Sequence, residues 1–245
     1  MNKKINFLGI PIAALTMQET LVKIEKCIEA NQQIHHSVVN AGKVVLMQDD
    51  KSLKESVLES DLINADGQAI VWAASLLGKP LPMRVAGIDL MESLVKKSFE
   101  KGYKCFFFGA KENVVSKVVG KYSKLYSKSI IAGYRNGFFN SNEEKDIVKE
   151  INHSQANILF VAMSSPKKEI FLNKFKLQLK DVNFIMGVGG SFDVISGDIK
   201  RAPVFMQKIG LEWFYRFLQE PRRMWKRYLI GNIKFIFLVM KNKFL

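Results

Sequence analysis

The run Cys105-Phe106-Phe107-Phe108-Gly109-Ala110 is followed by a helical pattern from Asn113 to Leu125 and a second apolar run from Ser129 to Ala132. A further helical pattern, Glu143 to Ile151, leads to a third apolar run, Ile158 to Ala162. Each apolar run is short, uncharged and without alternation, the pattern of a strand buried on both faces. The intervening stretches space apolar residues three and four apart, as a helix with one buried stripe requires. Repetition of this kind predicts parallel strands joined by helical crossovers.

The alternation continues outward on both sides. Val38-Val39 and Leu62-Ile63 precede it and Phe184 to Met186 follows, with helical patterns over Gly67 to Leu77 and Val85 to Phe99. The expected fold is therefore α/β: a Rossmann-like, mainly parallel sheet flanked by helices, spanning residues 1–199. A basic helical appendage is expected over 200–245. The length of 245 residues and an apolar share of 48% allow such a core and argue against disorder.

Several strand ends carry small or polar residues. Asn64-Ala65-Asp66-Gly67, Gly109-Ala110, Ser164-Ser165-Pro166 and Gly187-Val188-Gly189-Gly190 each follow an apolar run. Ligands of open α/β sheets bind beyond the carboxyl ends of the strands, where helix N-termini favour phosphate. Four such turns together point to a site. Asp66 taken alone can accept a proton from a sugar hydroxyl, hold a ribose or a metal, or cap the helix beginning near Gly67, and of these the cap is the commoner role. Gly187 to Asp193 departs from the dinucleotide fingerprint, because Phe192 stands where its third glycine is needed. That disfavours a nicotinamide-dependent enzyme. No P-loop, Asp-x-Asp or Gly-x-Ser-x-Gly pattern occurs, and His35, His36 and His153 lack metal-ligand spacing. Asp49-Asp50 fits the capping of a helix–helix junction better than a metal site.

Charge narrows the partners. Thirty-seven Lys and Arg against 23 Asp and Glu give +14, which implies an anionic partner: nucleic acid, anionic lipid or a phosphorylated substrate. Lys200 to Leu245 holds eleven Lys and Arg against two Glu, interleaved with aromatic residues such as Trp213, Phe214 and Trp225. That mixture suits a helix lying in a lipid headgroup layer, or a helical pair docked on the core with a solvated basic face. Pro221 should divide it. Cys27 and Cys105 make no disulfide framework, and no apolar stretch is long enough to span a bilayer. The expectation is a cytoplasmic protein, peripheral on the inner membrane face.

Longer motifs go further. Ala65-Asp66-Gly67, Val71-Trp72-Ala73 and the run from Leu76 to Met91 through Pro82-Met83-Arg84-Val85-Ala86-Gly87 resemble the WecG/TagA/CpsF glycosyltransferases. So do Gly187 to Asp193, Lys200-Arg201-Ala202-Pro203, Gly210 to Arg216, Glu220-Pro221-Arg222-Arg223 and Arg227 to Asn232. The resemblance implies transfer of a sugar from a UDP-sugar donor to a polyprenyl-diphosphate-linked saccharide, with inversion and with no metal or other cofactor. It makes Asp66 the catalytic base and Arg84, with Arg216, Arg223 and Arg227, the neutralisers of the departing diphosphate. Expected substrate contacts are Asn40, Gly109, Tyr134, Lys168, Gly190, Asp193 and those three tail arginines. Expected partners are the donor, the lipid-linked acceptor, an anionic membrane and a second copy of the chain; nucleic acid is not among them. Two positions depart from the family pattern and bear on the donor sugar. Val38 stands where teichoic-acid members carry Thr, and Lys168 replaces a neutral amide. The competing class is a basic nucleic-acid-binding α/β protein.

Overall fold

Two short strands, β1 (Lys4–Phe7) and β2 (Ile10–Ala13), form an antiparallel hairpin. Leu8 and Gly9 join them with φ of 51° and 82°, the positive values a two-residue hairpin turn requires. The apolar runs do not predict this hairpin, because each strand is only four residues long. Helix α1 (Met17–Glu29) then starts at a capping box. Thr16 Oγ1 accepts from the Glu19 N–H, and the Glu19 carboxylate accepts from the Thr16 N–H. The structure is a computed structural model and describes residues 3–244, apart from the side chains of Arg223, Lys226 and Arg227.

Strand–helix alternation follows as expected: β3 (Ile34–Val39), α2 (Ala41–Asp49), α3 (Lys51–Leu58), β4 (Leu62–Ala65), α4 (Gln68–Leu76), α5 (Gly87–Lys101), β5 (Cys105–Gly109) and α6 (Glu112–Leu125). It continues through β6 (Ile131–Arg135), α7 (Glu144–His153), β7 (Ile158–Ala162), α8 (Lys167–Phe175), β8 (Phe184–Gly187) and α9 (Ser191–Ile195). Asp50 caps α3, accepting from the Leu53 N–H, as the helix–helix junction suggested. The strand expected at Ser129 to Ala132 begins two residues later. Ser127 Oγ accepts from the Ser129 N–H and folds Lys128–Ile130 into a 3₁₀ turn.

The six strands from β3 to β8 make one sheet in the order β4-β3-β8-β7-β5-β6, with every neighbouring pair parallel. The two-residue period sorts side chains to opposite faces. Cys105 and Phe107 join Ile158, Phe160 and Phe184 under α1, α5 and α6. Phe106 and Phe108 join Leu159, Val161 and Ile185 under α7 and α8. Each fully buried Phe contributes about 1.5–3 kcal/mol. Burial pushes the Cys105 thiol up to about 12, so it stays protonated in the core.

The tail runs through α10 (Val204–Lys208), α11 (Glu212–Gln219), α12 (Pro221–Trp225), a π turn (Lys226–Ile230) and α13 (Gly231–Phe244). Pro221 divides it as expected and sits at the first position of α12, where its missing N–H costs nothing. Helix α13 lies along α2 and buries Phe235 and Val239 among Phe7, Val44 and Ala73. Ile233, Ile236 and Phe237 on the same helix stay exposed. The tail is thus docked on the core and still presents apolar surface. No described helix is long and apolar enough to cross a membrane.

Candidate active site

All six parallel strands end at one cavity of about 1510 Å³. Residues just past their carboxyl ends line it: Asn40, Asp66, Ala110, Phe138, Ser164 and Gly190. Tail residues Trp213, Arg216 and Tyr228 form a further wall. Pockets for a single small ligand usually measure about 300–1,000 Å³. This volume has room for two substrates side by side.

Asp66 follows β4, and its own N–H donates to Val39 O, which sets it beside the end of β3. It does not cap the helix that begins next to it. Gly67 is the N-cap of α4 and makes no side-chain cap bond. Asp66 Oδ1 instead accepts from the Gly87 N–H at 2.8 Å, at the start of α5. That helix carries Ala86 at its N-cap and has no cap of its own. An unsatisfied N–H and the positive end of the helix dipole thus orient the carboxylate within the cavity. Gly67 stands beside Asn40, where a Cβ would sit at ordinary contact distance, 3.4 Å from Asn40 Cβ. Asn40 itself caps α2, with Oδ1 accepting from the Lys43 N–H.

The cavity floor is cationic, in a way that only part of the sequence reading foresaw. Lys168 is buried, as is Lys43, which the sequence reading overlooked. Both ammoniums lie 2.7 Å from Glu169 Oε1. Lys43 Nζ also donates to Val38 O, and Lys168 Nζ to Ser165 Oγ. Burial alone would raise the Glu169 carboxyl, but the two lysines outweigh it and hold the group well below the ordinary carboxylate range. Two ammoniums on one carboxylate leave a net positive charge at the ends of β3 and β7. The residues were in view, but Lys43 and Glu169 lie 126 positions apart (169 − 43), and nothing local marks the pairing.

The glycine loop after β8 holds two cations close. A Cβ on Gly187 would come within 3.0 Å of Lys168 Cδ. One on Gly190 would come within 2.5 Å of Arg216 Nη2, so a side chain there would displace the guanidinium. Gly190, Asp193, Lys168, Asn40, Arg84 and Arg216 all line the same cavity as Asp66. Arg84 is held by Glu212 of α11 at 2.9 Å, and Arg201 reaches the same carboxylate at 3.7 Å. These pairs fasten the tail to the core beside Asp66. Gly210 reinforces that fastening, because a Cβ there would strike Trp72 of α4 at 2.8 Å.

Gly109 and Tyr134 are not brought to this cavity. Gly109 has φ of 126°, and a Cβ would lie 2.4 Å from Ala162 O, so its small size serves the β5–β7 contact. Tyr134 lies on β6, at the sheet edge, and is exposed there. The side chains of Arg223 and Arg227 lie outside the described residues. His36 is buried in β3 with Nε2 2.9 Å from Asn64 Oδ1, and burial pushes it down to about 3. It is a neutral core residue. Among the described residues no three His, Cys, Asp or Glu side chains gather as metal donors.

Comparison with known proteins gives the family. The profile described as "Glycosyl transferase WecG/TagA/CpsF family" matches residues 5–245. A relative from Bacillus spizizenii is 37% identical over 190 residues, covering 77% of this chain and 72% of its own. That relative is an N-acetylglucosaminyldiphosphoundecaprenol N-acetyl-beta-D-mannosaminyltransferase. Between an enzyme and a nucleic-acid-binding module, the match decides for the enzyme. The chain belongs to the WecG/TagA/CpsF family and is a glycosyltransferase.

Proposed function

We propose that this protein moves a sugar from a UDP-linked donor to N-acetylglucosamine carried on a polyprenyl diphosphate, as one step in making a cell-surface polysaccharide. The observation that carries the reading is the meeting of Asp66 with Lys168, Arg84 and Arg216 in one cavity at the carboxyl edge of the sheet. The B. spizizenii relative's acceptor supports the lipid-linked class.

In this reaction the acceptor hydroxyl gives its proton to Asp66, whose Oδ1 is already anchored by Gly87. The hydroxyl oxygen bonds to the anomeric carbon from the face opposite the diphosphate. The bond between that carbon and the diphosphate oxygen breaks, and its electron pair leaves with UDP. One displacement inverts the anomeric centre. Charge builds on the departing diphosphate, where fixed cations in a site shielded from water are most effective. Lys168, Arg216 and Arg84 supply that charge, and Gly190 and Asp193 border the nucleotide. The exposed apolar face of α13 and the basic residues Lys234, Lys241 and Lys243 suit contact with the cytoplasmic face of an anionic membrane.

The test is transfer by the full chain from a panel of UDP-sugars, UDP-N-acetylmannosamine included, to a synthetic prenyl-diphosphate N-acetylglucosamine. Expected are UDP release in step with a disaccharide product, and an inverted anomeric centre by NMR. No product across the panel, or a retained configuration, contradicts the reading.

A further inference from the structure

The cavity does not end at its polar floor. Helix α2 starts at Ala41 and α4 at Gln68, both beside the carboxylate of Asp66, and both run away from it. At about 1.5 Å of rise per residue, Trp72 lies about 6 Å along α4 and Leu76 about 12 Å. Leu46 lies at a comparable depth along α2. Ile230 and, on α13, which packs along α2, Ile236 and Met240 line the same cavity. These six bulky apolar side chains line one continuous space with Asp66 and Arg84, yet each is between 39% and 61% exposed. Exposed apolar surface gathered in a concave arm, and not scattered over the outside, marks a place for an apolar ligand.

We propose that this arm between α2, α4 and α13 binds the first prenyl units of the acceptor, holding them on the protein and out of the bilayer. The inference rests on the acceptor class given above. A lipid-linked acceptor has three parts in fixed order: hydrocarbon, diphosphate, sugar. The cavity offers the three matching chemistries: an apolar arm, the ammonium of Lys234 on α13, and the carboxylate of Asp66. A chain lying in the arm carries its diphosphate past Lys234 and its sugar to Asp66, leaving Arg84 and Arg216 to the donor. Helix α13 therefore has two roles, docking through Phe235 and Val239 and walling the arm through Ile236 and Met240.

The decisive experiment is calorimetric binding of farnesyl diphosphate and of inorganic diphosphate to the full chain, without membranes or detergent. Farnesyl diphosphate should bind at least about tenfold more tightly, from burial of its apolar surface. Leu76→Asp, and separately Ile236→Asp, should erase that preference; both sites are exposed, and circular dichroism checks that the fold is kept. Equal binding of the two ligands by the natural chain, or a preference untouched by both variants, overturns the proposal. So does a dimer that buries the arm and is dispersed by Leu76→Asp. Transfer is scored separately. A prenyl preference without sugar transfer sinks the function proposed above and leaves the arm standing; transfer without a prenyl preference does the reverse.

Discussion

At the scale of single residues, the site depends on charges taken out of water. Glu169 is 3% exposed and carries two lysines on one oxygen, so its ionised form is fixed by its neighbours. Removing one partner of a buried ion pair typically costs about 3–5 kcal/mol, because the remaining charge is left without compensation. Glu169 keeps Lys168 after Lys43 is lost, so Lys43→Met should fall at the lower end, about 3 kcal/mol in urea unfolding. A loss under about 1 kcal/mol would mean that Lys43 is dispensable to the floor. Lys168 holds the same carboxylate and also touches the glycine loop through Gly187. It therefore links the floor to the glycine loop. The family pattern drew attention to Lys168, but the sequence did not reveal that Lys43 stands beside it.

At the scale of elements, two glycines separate what a backbone needs from what it tolerates. Gly109 ends β5 with a positive φ and no room for a Cβ beside Ala162 O. Gly120 lies inside α6 with open space around its Cβ position. Gly109→Ala should therefore destabilise by more than about 1 kcal/mol, and Gly120→Ala should stabilise by about 0.4–1 kcal/mol. Thermal unfolding of the two variants checks both signs, and a stabilising Gly109→Ala would be the wrong result. The elements themselves were largely readable. Runs such as Cys105 to Phe108 and Ile158 to Ala162 lie buried on both faces, and their periodicity is local information. The hairpin of β1 and β2 was missed because four-residue strands give little pattern. The order β4-β3-β8-β7-β5-β6 was unreadable, since local spacing does not say which strands pair. The capping partner of Asp66 was missed for the same reason: Gly87 lies 21 residues further on.

At the scale of the whole molecule, the tail and the core share one site. Composition marked residues 200–245 as basic and aromatic, and Pro221 marked a division within them. Only the fold makes those residues a wall of the cavity, through Glu212 between Arg84 and Arg201, and through Phe235 in the core. On the reading proposed above, a site built in this way takes the acceptor from an apolar arm, past a cation, to a single carboxylate. The role of that carboxylate is the central claim, and it is tested by single-turnover transfer with Asp66→Asn. The substitution keeps the side chain's shape and an oxygen for the Gly87 N–H, but removes the base. The rate of the chemical step should fall by about 10²–10⁴-fold, as loss of a general base does, while UDP binds as tightly as before. A variant that transfers sugar at the rate of the natural chain would show that Asp66 is a helix cap and not the base.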